Sequence, residues 1–95
     1  MSPVIRLKPG QILAHFSYCG RNTVDALIST ASVRFDVRLN IIFGDLDIIQ
    51  NTPIGGLIII MEGKEAALEQ TLQWFAARGV KTEILRRSEN ERNEP

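Results

Sequence analysis

Residues 37–61, VRLNIIFGDLDIIQNTPIGGLIIIM, decide the fold. Val37, Leu39, Ile41 and Phe43 alternate at odd positions, whereas Leu46 and Ile48 continue the apolar series at even ones. Strand side chains have a period of two, so a slip of one residue exchanges the two faces of a sheet. A β-bulge absorbs such a slip with one extra residue, and Gly44-Asp45 stands where the parity changes, glycine being free to take a positive φ. The stretch therefore predicts one long bent strand over residues 37–50, a turn over Asn51-Thr52-Pro53, and a returning strand paired with the first as an antiparallel hairpin. Residues 57–61 are apolar at every position, which calls for cover on both sides of the sheet. Asn40 is the polar exception, placed opposite the core parity just before the bend.

On the N-terminal side, Ile12, Ala14, Phe16 and Tyr18 alternate with Leu13, His15 and Ser17, the pattern of a first strand. Cys19-Gly20-Arg21 turns the chain, and Asn22 is suited to cap a helix that has Asp25 in its first turn. Val24, Leu27, Ile28, Ala31 and Phe35 then mark one buried stripe of that helix. On the C-terminal side, Gly63 and Lys64-Glu65 open a second helix with Ala67, Leu68, Leu72, Phe75 and Ala76 on its stripe, Arg78 in its last turn and Gly79 at the C′ position. Val80, Thr82 and Ile84 alternate with Lys81 and Glu83 as a last strand. Residues 1–11, with Pro3, Pro9 and Gly10, read as a linker or lead-in, and residues 88–95 lack apolar side chains and are expected to be disordered.

The order β-α-β-β-α-β, with right-handed crossovers, predicts an α+β, ferredoxin-like sandwich of a four-stranded antiparallel sheet with both helices on one face, over residues 12–87. The other face has no helix, yet Leu13, Ile42 and alternate residues of 57–61 point to it. An apolar face of that kind predicts a homodimer through the open sheet face.

Composition narrows the function. Eleven basic and eleven acidic residues cancel, so no charge footprint points to nucleic acid. The longest apolar run is far too short to span a bilayer, no secretory signal opens the chain, and one cysteine makes no internal disulfide, which fits a cytoplasmic location. No enzyme chemistry is legible. His15 lies near Ser17 and Cys19, but the ligands are too few for zinc and no acid has the spacing to orient the histidine. Gly55-Gly56 lacks the GxxxxGK[ST] pattern, so there is no phosphate cradle and no ATPase motif. Asp45 and Asp47 read as solvated edge charges, and Trp74 as packing beside the core stripe. No cofactor or metal is expected. Asn40 keeps two readings: an exposed or interface-facing strand residue, or an amide beside a bulge that offers donor and acceptor to a zwitterionic ligand.

Three segments together resemble a known family. Phe35-Asp36-Val37-Arg38-Leu39-Asn40-Ile41-Ile42, the turn ending Pro53-Ile54-Gly55-Gly56-Leu57, and Gly79-Val80 before Thr82-Glu83-Ile84-Leu85 are similar to the NIL domain, named for an Asn-Ile-Leu-like motif that is Asn40-Ile41-Ile42 here. Ala26 stands where the family often has proline, and Ile42 replaces the leucine of the motif. The resemblance, over residues 12–85, implies an ACT-related fold and the C-terminal regulatory domain of the ATPase subunit of a methionine ABC importer. It further implies partnership with the parent ATPase domain and membrane permease, on the cytoplasmic side of the membrane. By the same resemblance Asn40 bonds the polar end of methionine, Leu46 contacts its thioether side chain, and the bound ligand arrests import (transinhibition). The competing reading is a dimerisation module without a ligand. An RNA-binding domain of this fold is disfavoured by the balanced charge and the lack of an aromatic pair on the sheet.

Overall fold

The computed structural model describes residues 5–19, 24–49 and 52–88. Its elements run β1 (Gln11–Cys19), α1 (Val24–Phe35), β2 (Arg38–Ile49), β3 (Thr52–Glu62), α2 (Glu65–Ala77) and β4 (Lys81–Arg87). The strands form one antiparallel sheet in the order β2-β3-β1-β4, the expected ferredoxin-like arrangement. The helix cap expected at Asn22 lies outside the described residues, as do residues 89–95 of the expected tail; Ser88, also assigned to that tail, is 5% exposed.

Alternation places the core as the sequence predicts. Ile12, Ala14 and Phe16 of β1 stand opposite Met61, Ile59 and Leu57 of β3, and all six are buried beneath the helices. Val24 and Ala31 of α1, with Leu68 and Phe75 of α2, close that layer. At its centre the rings of Phe16 and Phe75 lie 4.7 Å apart and tilted, the offset geometry that aromatic quadrupoles favour. Trp74 packs edge-on to Phe75 and Phe35, with the Arg78 guanidinium 4.0 Å over its ring, so the packing reading of Trp74 holds.

The α2 stripe differs at two positions: Ala76 is exposed and Thr71 is fully buried. The Thr71 hydroxyl donates 2.7 Å to the Ala67 carbonyl one turn back, which satisfies the buried oxygen and leaves only the methyl group to the core. Both helices end in left-handed residues. Gly79 (φ 86°) donates to the Ala76 carbonyl while Val80 donates to that of Phe75, a Schellman motif that stops α2 before β4. At the end of α1 the same place is taken by Asp36 (φ 56°), and Val37 donates to the Ser32 carbonyl at 3.3 Å.

The hairpin departs from the sequence reading in two ways. Its turn is tighter: β2 runs to Ile49 and β3 begins at Thr52, paired with Ile49, so Thr52-Pro53 and Gly55-Gly56 belong to the strand. The bulge is also displaced from Gly44-Asp45. Ile41 pairs with Ile59 and Phe43 with Ile58, leaving Ile42 as the extra residue. Since residues 57–61 are apolar on both faces, an apolar residue on the partner strand is matched in either register, and hydrophobicity does not fix the slip to one residue. Gly44 answers a different need: a Cβ there would lie 3.1 Å from Leu57 Cδ2, so glycine admits the Leu57 side chain.

Candidate functional site

Asn40 lies on β2, which is an edge strand, two residues before the bulge. It stands opposite Ile60, of the parity that faces away from the helices, and is exposed. Ile41 and Ile42 beside it are 45% and 44% exposed. The expected amide beside a bulge is therefore present, at Ile42 rather than at Gly44. Leu46 pairs with Gly55, whose parity is the helix-covered one. From Ile60 back to Gly55 the sheet advances roughly 17 Å at the usual rise per residue, so within one chain Asn40 and Leu46 do not converge. The side chains of Leu46, Asp45 and Asp47 lie outside the described residues.

The paired glycines of β3 act through their missing side chains. A Cβ on Gly55 would lie 2.3 Å from Tyr18 Cζ, so the Tyr18 ring lies directly over this backbone. On the other face a Cβ on Gly56 would lie 3.1 Å from His15 Nε2. Gly55-Gly56 thus lets two rings of β1 lie across β3, a packing role compatible with the absence of a phosphate-binding pattern. His15 is half-buried on the open face, and no group of three metal-ligating side chains occurs among the described residues. A groove of about 510 Å³ opens elsewhere, between the end of α1 and the start of α2, with Phe35, Asp36, Glu62 and Lys64 in its walls.

The open face is less bare than sequence patterning implies. Ile58 and Ile60 are half-buried, and Leu13 is 8% exposed although it lies outside the helix-side core. Residues 5–10 are hydrogen-bonded to this sheet. Gln11 and Lys8 exchange two hydrogen bonds, one through the Gln11 side-chain oxygen at 2.8 Å. Gly63 donates to the Gly10 carbonyl, and Arg86, which stands opposite Leu13, donates to the Ile5 carbonyl. The stretch read as a linker is consequently fastened to the sheet. Its polar anchors carry no periodicity, which is why apolar patterning passes over them.

Against this geometry, comparison with known proteins is decisive on family. The profile of the NIL domain matches residues 12–84, well over half of the chain. The chain belongs to the NIL domain family. Curated relatives of this NIL domain include methionine import ATP-binding protein MetN 1 of Enterococcus faecalis, 40% identical over 80 residues, and MetN 2 of Oenococcus oeni, 32% identical over 83. The alignments cover 84% and 87% of this chain but 22% and 23% of those proteins, so the chain spans less than a quarter of their length. Among solved structures, the C-terminal domain of an ABC transporter ATP-binding protein from Enterococcus faecalis superposes with a TM-score of 0.67. That match covers 81% of this chain and 86% of the other at 21% identity, a likeness of fold. Among the described residues no helix is long and apolar enough to cross a membrane.

Proposed function

We propose that this NIL domain is the regulatory domain of the ATP-binding subunit of a methionine ABC importer, and that it binds L-methionine and arrests import when the ligand is abundant. The observation that carries the reading is the 40% identity to a methionine import ATP-binding protein across nearly the whole domain. The exposed Asn40 at the edge of the sheet supplies a fitting polar group, an amide that accepts from the ammonium and donates to the carboxylate of an amino acid. Leu46 is the proposed contact for the thioether chain. Two copies associate at the sheet, and the parent ATPase domain and membrane permease are the remaining partners, on the cytoplasmic side.

The regulatory step requires no chemistry in this domain. Methionine need only bind better when the two ATP-binding subunits are apart than when they are together. A ligand shifts such an equilibrium by no more than its differential affinity, typically about 1–3 kcal/mol in allosteric proteins. The competing reading, a dimerisation module with no ligand, differs at one residue. Titration calorimetry with Asn40→Ala should show methionine affinity at least about ten-fold weaker, the worth of a hydrogen bond to a charged group, with the sedimentation coefficient unchanged. Equal affinity in the variant would remove Asn40 from the site, and no heat from the native chain would favour the ligand-free module.

A further inference from the structure

We propose that the end of β4 and the first turn of α2 form a binding site for a small oxyanion of the phosphate class, held by Arg87, Ser88 and the leading backbone N–H groups of α2. The site lies beside the entry to β1, and its chemistry is independent of the methionine reading.

Two buried side-chain polar atoms among the described residues have no hydrogen-bond partner, Trp74 Nε1 and Ser88 Oγ. The Trp74 ring packs against Phe35 and Phe75 beneath the Arg78 guanidinium. Ser88 differs. It is 5% exposed and lines a cavity of about 70 Å³, shared with Gly10, Gly63, Glu65, Leu68 and Arg87. A buried hydroxyl left unpaired is costly, and a cavity of this size has room for a molecule to meet it.

The register of β4 brings a cation to the same place. Thr82 and Ile84 stand opposite Phe16 and Ala14, on the helix-covered face. Regular alternation would set Arg86 next on that face. The ladder slips between Leu13 and Ala14, however, with Arg86 opposite Leu13 and Arg87 opposite Ile12, so Leu85 is the extra residue. Arg87 therefore shares the face of Ile12 beside α2, the kind of re-aiming that a bulge provides. It borders the Ser88 cavity and a second one of about 60 Å³ walled by Leu72 and Glu69. No ion pair holds its exposed guanidinium among the described residues.

The third component is the start of α2. Lys64 makes no side-chain cap, and the first backbone bond of the helix runs from Leu68 to the Lys64 carbonyl. The N–H groups of residues 65–67 thus have no partner within the helix and carry the positive end of its dipole. Such groups suit an anion. A serine hydroxyl, an arginine fork and backbone N–H groups together offer donors to several oxygens of one tetrahedral ion. A cation would meet the dipole and Arg87 at the wrong sign, and no group of three metal-ligating side chains occurs among the described residues. Glu65 is the carboxylate in this wall; it is exposed, and its charge opposes the anion. The volume lies far below the several hundred Å³ of a drug-sized site, so the ligand enters as a free ion or by a single phosphate group.

Proton–nitrogen correlation spectra of the 95-residue chain, titrated with inorganic phosphate at constant pH and ionic strength, test the site. Millimolar phosphate should shift the amide signals of residues 65–68 and 88 along saturable curves, and chloride should not. Arg87→Gln should weaken binding about ten-fold and Ser88→Ala about three-fold, whereas Glu65→Gln should tighten it. Ser88→Ala also removes an unpaired buried hydroxyl, so without phosphate its melting temperature should equal or exceed that of the native chain. That separates lost binding from lost structure. Tighter binding of ADP at the same amides would support the phosphate group of a nucleotide as the ligand, and phosphate acting alone would support the free ion. No saturable shift, shifts scattered over the surface, an equal response to chloride, or unaltered affinity in either Arg87→Gln or Ser88→Ala would overturn the proposal.

Discussion

Phe75→Ala is expected to remove a large fraction of the domain's stability. Phe75 is fully buried at the centre of the helix–sheet interface, against Phe16 on one side and Trp74 at 5.2 Å on the other. Truncating a buried phenylalanine to alanine typically costs about 3–5 kcal/mol, part lost transfer energy and part unfilled cavity. Small domains have a total of only about 5–15 kcal/mol, so the loss takes a large fraction of the stability. Relief by collapse is limited here, because Ile59, Met61 and Ala14 on the sheet are themselves buried and held in the hydrogen-bonded ladder. Trp74 is the single tryptophan and reports directly on this neighbourhood. Urea unfolding followed by its fluorescence should show the midpoint falling with little change in slope. A loss below about 1 kcal/mol would mean that the packing described around Phe75 is wrong.

Gly55→Val should be the next most damaging change, and its mechanism is unlike that of a cavity. A Cβ at this position meets the Tyr18 ring at 2.3–2.5 Å, closer than any real contact, so the ring must swing away from β3. Tyr18 packs against the core cluster and is half-buried, and displacing it gives up that contact. Overpacking of this kind costs about 1–3 kcal/mol. The diagnostic is non-additivity. Tyr18→Ala removes the obstacle, so the double variant should be more stable than the two single losses predict by at least about 1 kcal/mol, the size of coupling seen between touching residues. Simple addition of the two losses would show that the ring does not lie over Gly55.

These residues also show what a sequence of this kind discloses. Element order, the helix stripes and the core parity of β1 and β3 follow from periodicity, because burial on one side imposes a period that the residues cannot hide. The C-terminal stop of α2 is equally legible, since glycine is the residue that takes a left-handed turn at least cost. The bulge is legible in kind but not in place: where β3 is apolar on both faces, hydropathy fits either register. Thr71 escapes apolar patterning because a hydroxyl that bonds its own helix leaves only a methyl group to the core, and that is invisible to hydropathy. The fastening of residues 5–10 rests on backbone carbonyls of Lys8, Gly10 and Ile5, which leave no mark in residue type. At the candidate site, the exposure of Asn40 followed from its parity. Its separation from Leu46 did not, because two residues six apart on a strand converge only if something outside that strand brings them together.

The measurement that bears most directly on the central claim is thermal melting of the 95-residue chain with L-methionine, with D-methionine and L-leucine as controls. A ligand that binds only the folded state stabilises by RT ln(1 + [L]/Kd), about 2.7 kcal/mol at a hundred-fold excess over Kd. For a domain of this size that raises the midpoint by about 10 °C or more. The account predicts a concentration-dependent rise with L-methionine alone, and a smaller rise in Asn40→Ala at the same concentration. An unchanged midpoint up to millimolar L-methionine, or an equal rise with L-leucine, would contradict it.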